Sequence, residues 1–253
     1  MSIHKILEIN NEAVRFFTDQ LNESGRSIRR EFPERYGLND EMIEKFRLGY
    51  SGESGIGLTE YLRTKGYSEE LMIDSGLAKQ NTQGKILDVF CDRIMFPLCD
   101  PEQNVLGFGG LAVNESQPRW LIIERTEAFD PETLLYGFEH ALRSSADYII
   151  VCEGFMDVLM LNQYGFDMAV STVGRTLSGE QISILMKKTS NIIICYDNDN
   201  EGDKMSAASV ERIKGMGLHV KKINTEPYRD PAEFLRKMGR DAFEEKINIA
   251  LQD

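Results

Sequence analysis

Residues 192–202 have the sequence IIICYDNDNEG, in which an apolar run ends abruptly in two aspartates and a glycine. A short, continuous apolar run of this kind is typical of a strand that is buried on both faces of a sheet. Gly202 stands where the next helical segment begins. The stretch therefore predicts a buried strand that carries Asp197 and Asp199 at its carboxyl end.

Strands and helices alternate on either side of this stretch. The sequence VCEGFMDV at residues 151–158 also runs from apolar residues into an acid, Glu153, before a helical segment. Ser178 and Gln181 have the spacing of a helix capping box. The pattern predicts strands at 148–152, 168–171, 192–196 and 218–223, and helices at 156–163, from 178, up to 214 and at 231–238. This alternation indicates a largely parallel sheet covered by helices on both faces.

The preceding part of the chain has a different pattern. Residues 3–75 show mostly helical spacing of apolar side chains, interrupted by a glycine-rich loop at 51–57. Residues 93–98 and 105–113 have the pattern of a hairpin whose glycines allow a close approach of the backbone. We therefore expect a chain of mixed α/β and α+β class. Its first domain is expected at 1–143 and its second, with the mainly parallel sheet, at 144–253.

Carboxylates follow three of the four predicted parallel strands. Glu153 follows the first strand, and Asp157 lies one helical turn beyond it. Asp197 and Asp199 follow the third strand, and Asp230 follows the fourth. Sites in such sheets form outside the carboxyl ends of the strands, so these acids are expected to converge. Oxygen ligands without His or Cys favour Mg²⁺ or Mn²⁺, and such ions commonly act on phosphates. An acid after a strand is also a frequent helix N-cap, which explains Asp197 or Asp199 equally well.

The order of Glu-Gly, Asp-x-Asp and Asp-Pro along the chain resembles the Toprim domain that bacterial primases, topoisomerases and some nucleases share. Residues 151–158 and 195–202 are similar in particular to bacterial DNA primases of the DnaG type. Further segments resemble landmarks of that primase core in the same order: AVRFF (13–17), YGL (36–38), RLGY (47–50), RIMFPL (93–98), GFGG (107–110) and LYGF (135–138). The resemblance implies an RNA polymerase core with a primase N-terminal subdomain and a Toprim subdomain. It also implies synthesis of RNA primers on single-stranded DNA from nucleoside triphosphates.

The resemblance, carried over residue by residue, implies a metal centre built from five acids. Glu153, Asp197 and Asp199 are the implied catalytic residues. Together with Asp157 and Asp230 they are implied to hold Mg²⁺ or Mn²⁺. The implied partners are a single-stranded DNA template, nucleoside triphosphates and a replicative helicase, the last through a region outside this sequence.

The chain departs from the primase pattern at several positions. The family's Asp-Pro-Asp is Asp230-Pro231-Ala232 here, and Leu111 stands where an arginine is usual. Pro131 replaces a lysine, and RWLIIERT at 119–126 replaces the family's KYLNSPET. No zinc-ribbon or helicase-binding domain is recognisable in the sequence. We therefore expect an excised core or a reduced relative, with a depleted basic cleft and weak de novo initiation.

Six residues are candidate contacts to nucleotide or DNA: Arg93, Arg119, Trp120, Arg125, Arg175 and Lys204. Trp120 could stack on a base, although a lone tryptophan is more often partly buried structure. Arg175 and Lys204 follow predicted strands and could reach a phosphate. The alternative for both is a solvated surface position.

Charge and composition narrow the possible functions. The net charge of −12 argues against strong nonspecific binding of duplex DNA by this chain alone. No apolar run is long enough to cross a membrane, and we expect a cytoplasmic location. The four cysteines include no Cys-x-x-Cys pair, so a zinc site is not expected. A non-catalytic Toprim module that binds nucleotide or nucleic acid, and a Toprim nuclease, remain as alternatives to a primase core.

Overall fold

The computed structural model describes residues 2–114 and 117–252. The chain divides into two compact units, of which the first ends at Pro131 and the second starts at Glu132. The fold class expected from the sequence is confirmed, with helices and antiparallel strands preceding a parallel sheet that helices flank. The domain boundary expected after residue 143 stays a prediction.

The first unit starts with helices and continues into antiparallel strands. Its helices are α1 (Ile3–Asn22), α2 (Arg26–Tyr36), α3 (Asp40–Lys45), α4 (Gly57–Thr64) and α5 (Glu69–Asp74). Its strands are β1 (Gly49–Tyr50), β2 (Ala78–Gln80), β3 (Ile86–Asp88), β4 (Arg93–Cys99), β5 (Val105–Ala112) and β6 (Trp120–Ile122). One antiparallel sheet has the order β1-β4-β5-β6, and β2 pairs with β3.

The predicted hairpin is confirmed as β4 and β5, which pair along their length. A Cβ added at Gly107 would lie 2.1 Å from a side-chain carbon of Ile123, and one added at Gly110 would lie 2.8 Å from Phe90. Glycine therefore suits both positions, because neighbouring side chains pack directly on the backbone and would have to move to admit a Cβ. The helical expectation for 3–75 holds for α1 to α5 and is wrong at β1, whose two residues are too few to show alternation.

The second unit alternates strands and helices. Its elements are α6 (Phe138–Ala141), β7 (Tyr148–Cys152), α7 (Phe155–Gln163), β8 (Ala169–Ser171), α8 (Gly179–Leu185), β9 (Asn191–Cys195), α9 (Asn200–Gly215), β10 (His219–Lys222) and α10 (Pro231–Gln252). The strands have the order β10-β9-β7-β8, and all neighbours are parallel. Helix α10 consists of two helical segments that meet at Gly239, whose φ is 79°. The parallel sheet predicted from the sequence is therefore present, strand for strand.

The core of this unit explains why its central strands are apolar throughout. Ile149, Val151, Ile192 and Ile194 belong to one buried cluster that α8 and α9 also line. The predicted capping box is confirmed at the start of α8, where Ser178 Oγ accepts from the Gln181 N–H at 2.9 Å. Among the residues described, no helix is long and apolar enough to cross a membrane.

Candidate active site

The carboxyl ends of β7 and β9 lie side by side. Cys152 and Cys195, the last residues of the two strands, are paired in the parallel register. Glu153 follows Cys152 directly, and Asp197 follows one residue after Cys195. The register therefore brings acids from two separate segments to one edge of the sheet, where α/β proteins form their sites.

Glu153 is half-buried at this edge. Its Oε2 atom is buried and accepts no hydrogen bond from any residue that the structure describes. Burial, followed by the charges of Asp197 and Asp199, raises the pKa of Glu153 to about 7. A buried carboxylate oxygen without a protein donor is costly, and a bound cation would remove that cost.

Asp157 lies on the first turn of α7 and is buried. Its Oδ2 accepts from the Gly154 N–H at 3.0 Å, and its Oδ1 accepts from the Ala232 N–H at 3.4 Å. Burial, then the charges of Asp230 and Asp197, raise the pKa of Asp157 well above its usual range. Asp157 thus connects the start of α7 to the start of α10.

Asp197 is more enclosed than its position in a loop suggests, because its side chain is 11% exposed. Burial and the charge of Asp230 raise its pKa to about 6, while Arg229 opposes the shift. The Arg229 guanidinium Nη2 lies 3.5 Å from Asp197 Oδ2. This ion pair places a positive charge beside Asp197 and Asp199.

Asp199 is the N-cap of α9. Its Oδ1 accepts from the Glu201 and Gly202 N–H groups, each at 2.9 Å. These bonds, with that of Gly202 first, lower the pKa of Asp199 below its ordinary value. The N-cap alternative raised for this residue from the sequence is therefore correct. A capping role keeps the carboxylate ionised and fixed, which is compatible with contact to a cation.

Two other residues fix the loop that carries the Asp-x-Asp pair. Asn198 donates from its backbone to the Arg229 carbonyl at 2.7 Å and from its side chain to the Tyr228 carbonyl at 2.6 Å. The loops after β9 and β10 are therefore tied together, and this tie sets the position of Asp230. A Cβ on Gly202 would lie 2.2 Å from the Asp197 carbonyl oxygen, so that only glycine allows the turn into α9.

Asp230 stands at the start of α10, where its Oδ1 accepts from the Glu233 N–H at 2.6 Å. Its charge raises the pKa of both Asp157 and Asp197. The acids predicted from the sequence are therefore close enough to repel one another. The Glu233 side chain accepts a hydrogen bond from the Arg229 N–H at 3.0 Å.

The donor set fits a hard divalent cation in its chemistry. Every acid at this edge offers carboxylate oxygen, and Glu153 Oε2 is buried without a protein donor among the described residues. As the side chains are placed, no three His, Cys, Asp or Glu residues in 2–114 and 117–252 converge on one point. Coordination by three of these side chains would therefore require side-chain rotation.

Arg93 belongs to the first unit, in β4. It is buried, and its guanidinium donates to the backbone carbonyls of Gly110, Arg119 and Pro118 at 3.3, 3.2 and 2.8 Å. Its role in binding nucleotide or DNA stays a prediction. The geometry favours a structural role, because these bonds hold the Arg93 side chain against β5 and against the segment that precedes β6.

The remaining basic and aromatic candidates are at least partly accessible. Arg119 is exposed, and the Trp120 ring is half-buried, with its centroid 5.2 Å from that of Phe96. Arg125 is exposed and pairs with Asp130 at 2.7 Å. In the second unit, the exposed Arg175 lies 3.9 Å from Glu132, and Lys204 is exposed on α9. Their proposed contacts to nucleotide or DNA stay predictions.

Arg229 and Asn198 were not among the site residues predicted from the sequence. Both contribute through contacts between the loops after β9 and β10. Their signal in the sequence is weak, since it consists only of a basic residue beside Asp230 and a polar residue between two aspartates.

Comparisons with known proteins agree with this architecture in both units. Residues 16–142 match the family described as "DNA primase catalytic core, N-terminal domain", and residues 150–235 match the family described as "Toprim-like". The fold and the acidic edge thus define a Toprim-containing catalytic core. The chain belongs to the bacterial DNA primase family of the DnaG type.

Individual relatives are similar over nearly the whole chain. A DNA primase of Clostridium acetobutylicum is 32% identical over 98% of this chain and 41% of the relative. The DNA primase of Escherichia coli K12 is 30% identical over 93% of this chain and 42% of its own length. The chain thus spans about two fifths of the length of these curated relatives.

Solved structures show the same likeness in three dimensions. A structure described as the DnaG primase catalytic domain bound to ssDNA has a TM-score of 0.89 at 28% identity, over 98% of this chain and 81% of that one. The E. coli primase catalytic core has a TM-score of 0.88 at 29% identity, over 96% of this chain and 80% of that one. The primase-type resemblance read from the sequence is therefore confirmed.

Proposed function

We propose that this chain is the RNA polymerase core of a primase and that it synthesises RNA primers on single-stranded DNA from nucleoside triphosphates. One observation carries the proposal: a primase N-terminal core precedes a Toprim unit whose Glu153 and Asp197 share one sheet edge. At that edge, Glu153 Oε2 is buried and has no protein donor in the described chain. A hydroxyl group of the primer end attacking a nucleotide phosphate is the reaction that such an edge can support.

The acids have different roles in this proposal. Glu153, Asp197 and Asp199 are the catalytic residues, and they hold Mg²⁺ or Mn²⁺ together with Asp157 and Asp230. A cation held there would neutralise charge on the phosphates and would lower the pKa of the attacking hydroxyl. Asp199 enters the reaction already ionised because the first turn of α9 donates to it. Asp157 supports the site from behind, since it accepts from backbone groups of both α7 and α10.

The partners in the proposal are a single-stranded DNA template and nucleoside triphosphates. A relative of similar fold has been described bound to ssDNA. Arg119, Trp120 and Arg125 are the proposed contacts of the first unit, and Arg175 and Lys204 those of the second. A replicative helicase is a further proposed partner, through a region outside this sequence. A cytoplasmic location is part of the same proposal.

Extension of a pre-annealed RNA primer tests the proposal without requiring de novo initiation. We expect the chain, with Mn²⁺, single-stranded template and labelled ribonucleotides, to add templated nucleotides. The double variant Asp197→Asn, Asp199→Asn is expected to lose extension. The matched control is Asp147→Asn, which removes an exposed acid next to the opposite end of β7. Failure of the unsubstituted chain to extend the primer would refute the proposal.

A non-catalytic or weakly active module is the second candidate function. Two observations favour it: Ala232 occupies the position of a family acid and lies beside Asp157, and the Arg93 guanidinium is turned inward. In that case the same double variant would bind single-stranded DNA and nucleotide as well as the unsubstituted chain does. Neither protein would then extend a primer.

A further inference from the structure

Arg229 contacts Asp197, a largely enclosed acid in the loop after β9. The Arg229 side chain is 69% exposed, whereas that of Asp197 is 11% exposed. The guanidinium therefore reaches inward from solvent to a carboxylate that is largely shielded. Its Nη2 lies 3.5 Å from Asp197 Oδ2, a longer distance than an optimal charged hydrogen bond.

Hydrogen bonds hold the backbone of Arg229 on both sides, whereas its side chain is mostly exposed. Its N–H donates to Glu233 Oε2 at 3.0 Å, and its carbonyl accepts from the Asn198 N–H at 2.7 Å. Asn198 stands between the two aspartates of the loop after β9. The Arg229 side chain thus starts from a point held rigidly against the acids, while its exposed end can rotate.

Charge determines which contact the guanidinium makes. When no metal ion is bound, the Arg229 guanidinium pairs with Asp197. The other acids of the edge, Glu153, Asp199 and Asp230, add negative charge nearby and strengthen this attraction. A divalent cation held by the same acids would repel the guanidinium. The planar fork of an arginine matches phosphate oxygens as well as it matches a carboxylate. Triphosphate oxygens would arrive at this same edge with the cation.

We propose that Arg229 is a nucleotide-binding residue, which neutralises Asp197 in the metal-free protein and moves to the triphosphate of the incoming nucleotide. The proposal rests on the proposed function, because it takes a nucleoside triphosphate as the substrate of this edge. It also gives the chain a phosphate contact within the second unit, where the primase pattern at Asp230-Pro231-Ala232 has lost one acid.

The first measurement is the affinity of the metal-free chain for Mn²⁺ alone, by isothermal titration calorimetry. In Arg229→Gln the competing positive charge is gone, so Mn²⁺ is expected to bind about two- to fivefold more tightly. The matched control is Lys237→Gln, which removes an exposed positive charge from α10 and should leave the affinity unchanged. A purely structural role for Arg229 would instead weaken Mn²⁺ binding when the residue is replaced.

The second measurement is the affinity for ATP at saturating Mn²⁺. Arg229→Gln is expected to weaken ATP binding by about five- to tenfold, the loss of one charged hydrogen-bond pair. Arg229→Lys should recover part of that loss, because lysine keeps the charge without the fork. Unchanged ATP affinity in Arg229→Gln would overturn the proposal even if Mn²⁺ bound more tightly. An unsubstituted chain that binds neither Mn²⁺ nor ATP would overturn the proposed function first, and this inference with it.

Discussion

Replacing Glu153 with glutamine is expected to stabilise the metal-free protein and to weaken its response to Mg²⁺. The pKa of Glu153 is about 7 because of burial and the charges of Asp197 and Asp199, whereas its ordinary value is 4.5. The ionised side chain is therefore a net cost to the folded state at neutral and alkaline pH. Glutamine has the same shape and removes that cost.

The magnitude follows from the two pKa values. At about 1.4 kcal/mol for each pKa unit, the difference between about 7 and 4.5 corresponds to ~3 kcal/mol above about pH 8. Glu153 is only half-buried, so solvent screening reduces this figure to ~1.5 kcal/mol. For a unit of this size, such a change raises the midpoint of thermal unfolding by about 5 °C.

Scanning calorimetry near pH 8 measures this effect, first with EDTA and then with excess Mg²⁺. With EDTA, the second unit of Glu153→Gln should unfold at a higher temperature than that of the unsubstituted chain. With Mg²⁺, the unsubstituted chain should gain more stability than the variant, because the variant lacks a ligand. Asp147→Asn, the matched control beside the opposite end of β7, should change neither value. A destabilised variant in EDTA, or an equal gain from Mg²⁺ in both proteins, would refute the reasoning.

Three further predictions follow from the same geometry. Without divalent cations, the raised pKa values of Glu153 and Asp197 mean that the folded state binds more protons than the unfolded state between about pH 4 and 7. The free energy of unfolding should therefore fall as pH rises through that window, and urea titrations that show a rise would contradict this. Gly202→Ala should destabilise the second unit by ~2 kcal/mol or more, because its Cβ would lie 2.2 Å from the Asp197 carbonyl oxygen. Denaturant unfolding measures this loss, and an unchanged midpoint would show that the turn into α9 does not require glycine. Arg93→Leu should lower the free energy of unfolding of the first unit by ~2–3 kcal/mol, because it leaves buried carbonyls unpaired. Arg119→Leu, at an exposed position, is the matched control and should change that free energy little when both variants are compared by scanning calorimetry.

The sequence was sufficient to predict the parallel sheet. The strand expected at 148–152 is β7, and that expected at 192–196 corresponds to β9 within one residue. Their isoleucine-rich runs are apolar throughout because both faces of each strand are buried. The acids after these runs were identified for the same local reason, since a strand end is visible in the sequence as an abrupt change from apolar to acidic residues. The primase family could also be recognised from ordered motifs along the chain.

Other features depended on contacts between segments far apart in sequence. Arg93 was selected as a charged residue in a recognisable motif, yet its guanidinium bonds to carbonyls 17 to 26 residues away. No periodicity encodes whether an arginine points to solvent or into a sheet. The strands β1, β2 and β3 were not predicted because they contain only two or three residues each, and tertiary pairing alone defines them.

Local patterns along the chain were therefore enough to predict the order of the elements, the parallel sheet and the identity of the acids at its edge. These follow from hydrophobic periodicity and from residue types at strand ends, which are local properties. The burial, ion pairing and pKa of those acids depend instead on contacts made in the folded chain. The tertiary structure placed Arg229 on Asp197 across 32 residues of sequence and buried Glu153 Oε2 away from protein donors in the described chain. Charge, burial and pKa depend on distances in space, and those distances are set when the loops after β7, β9 and β10 meet at one edge.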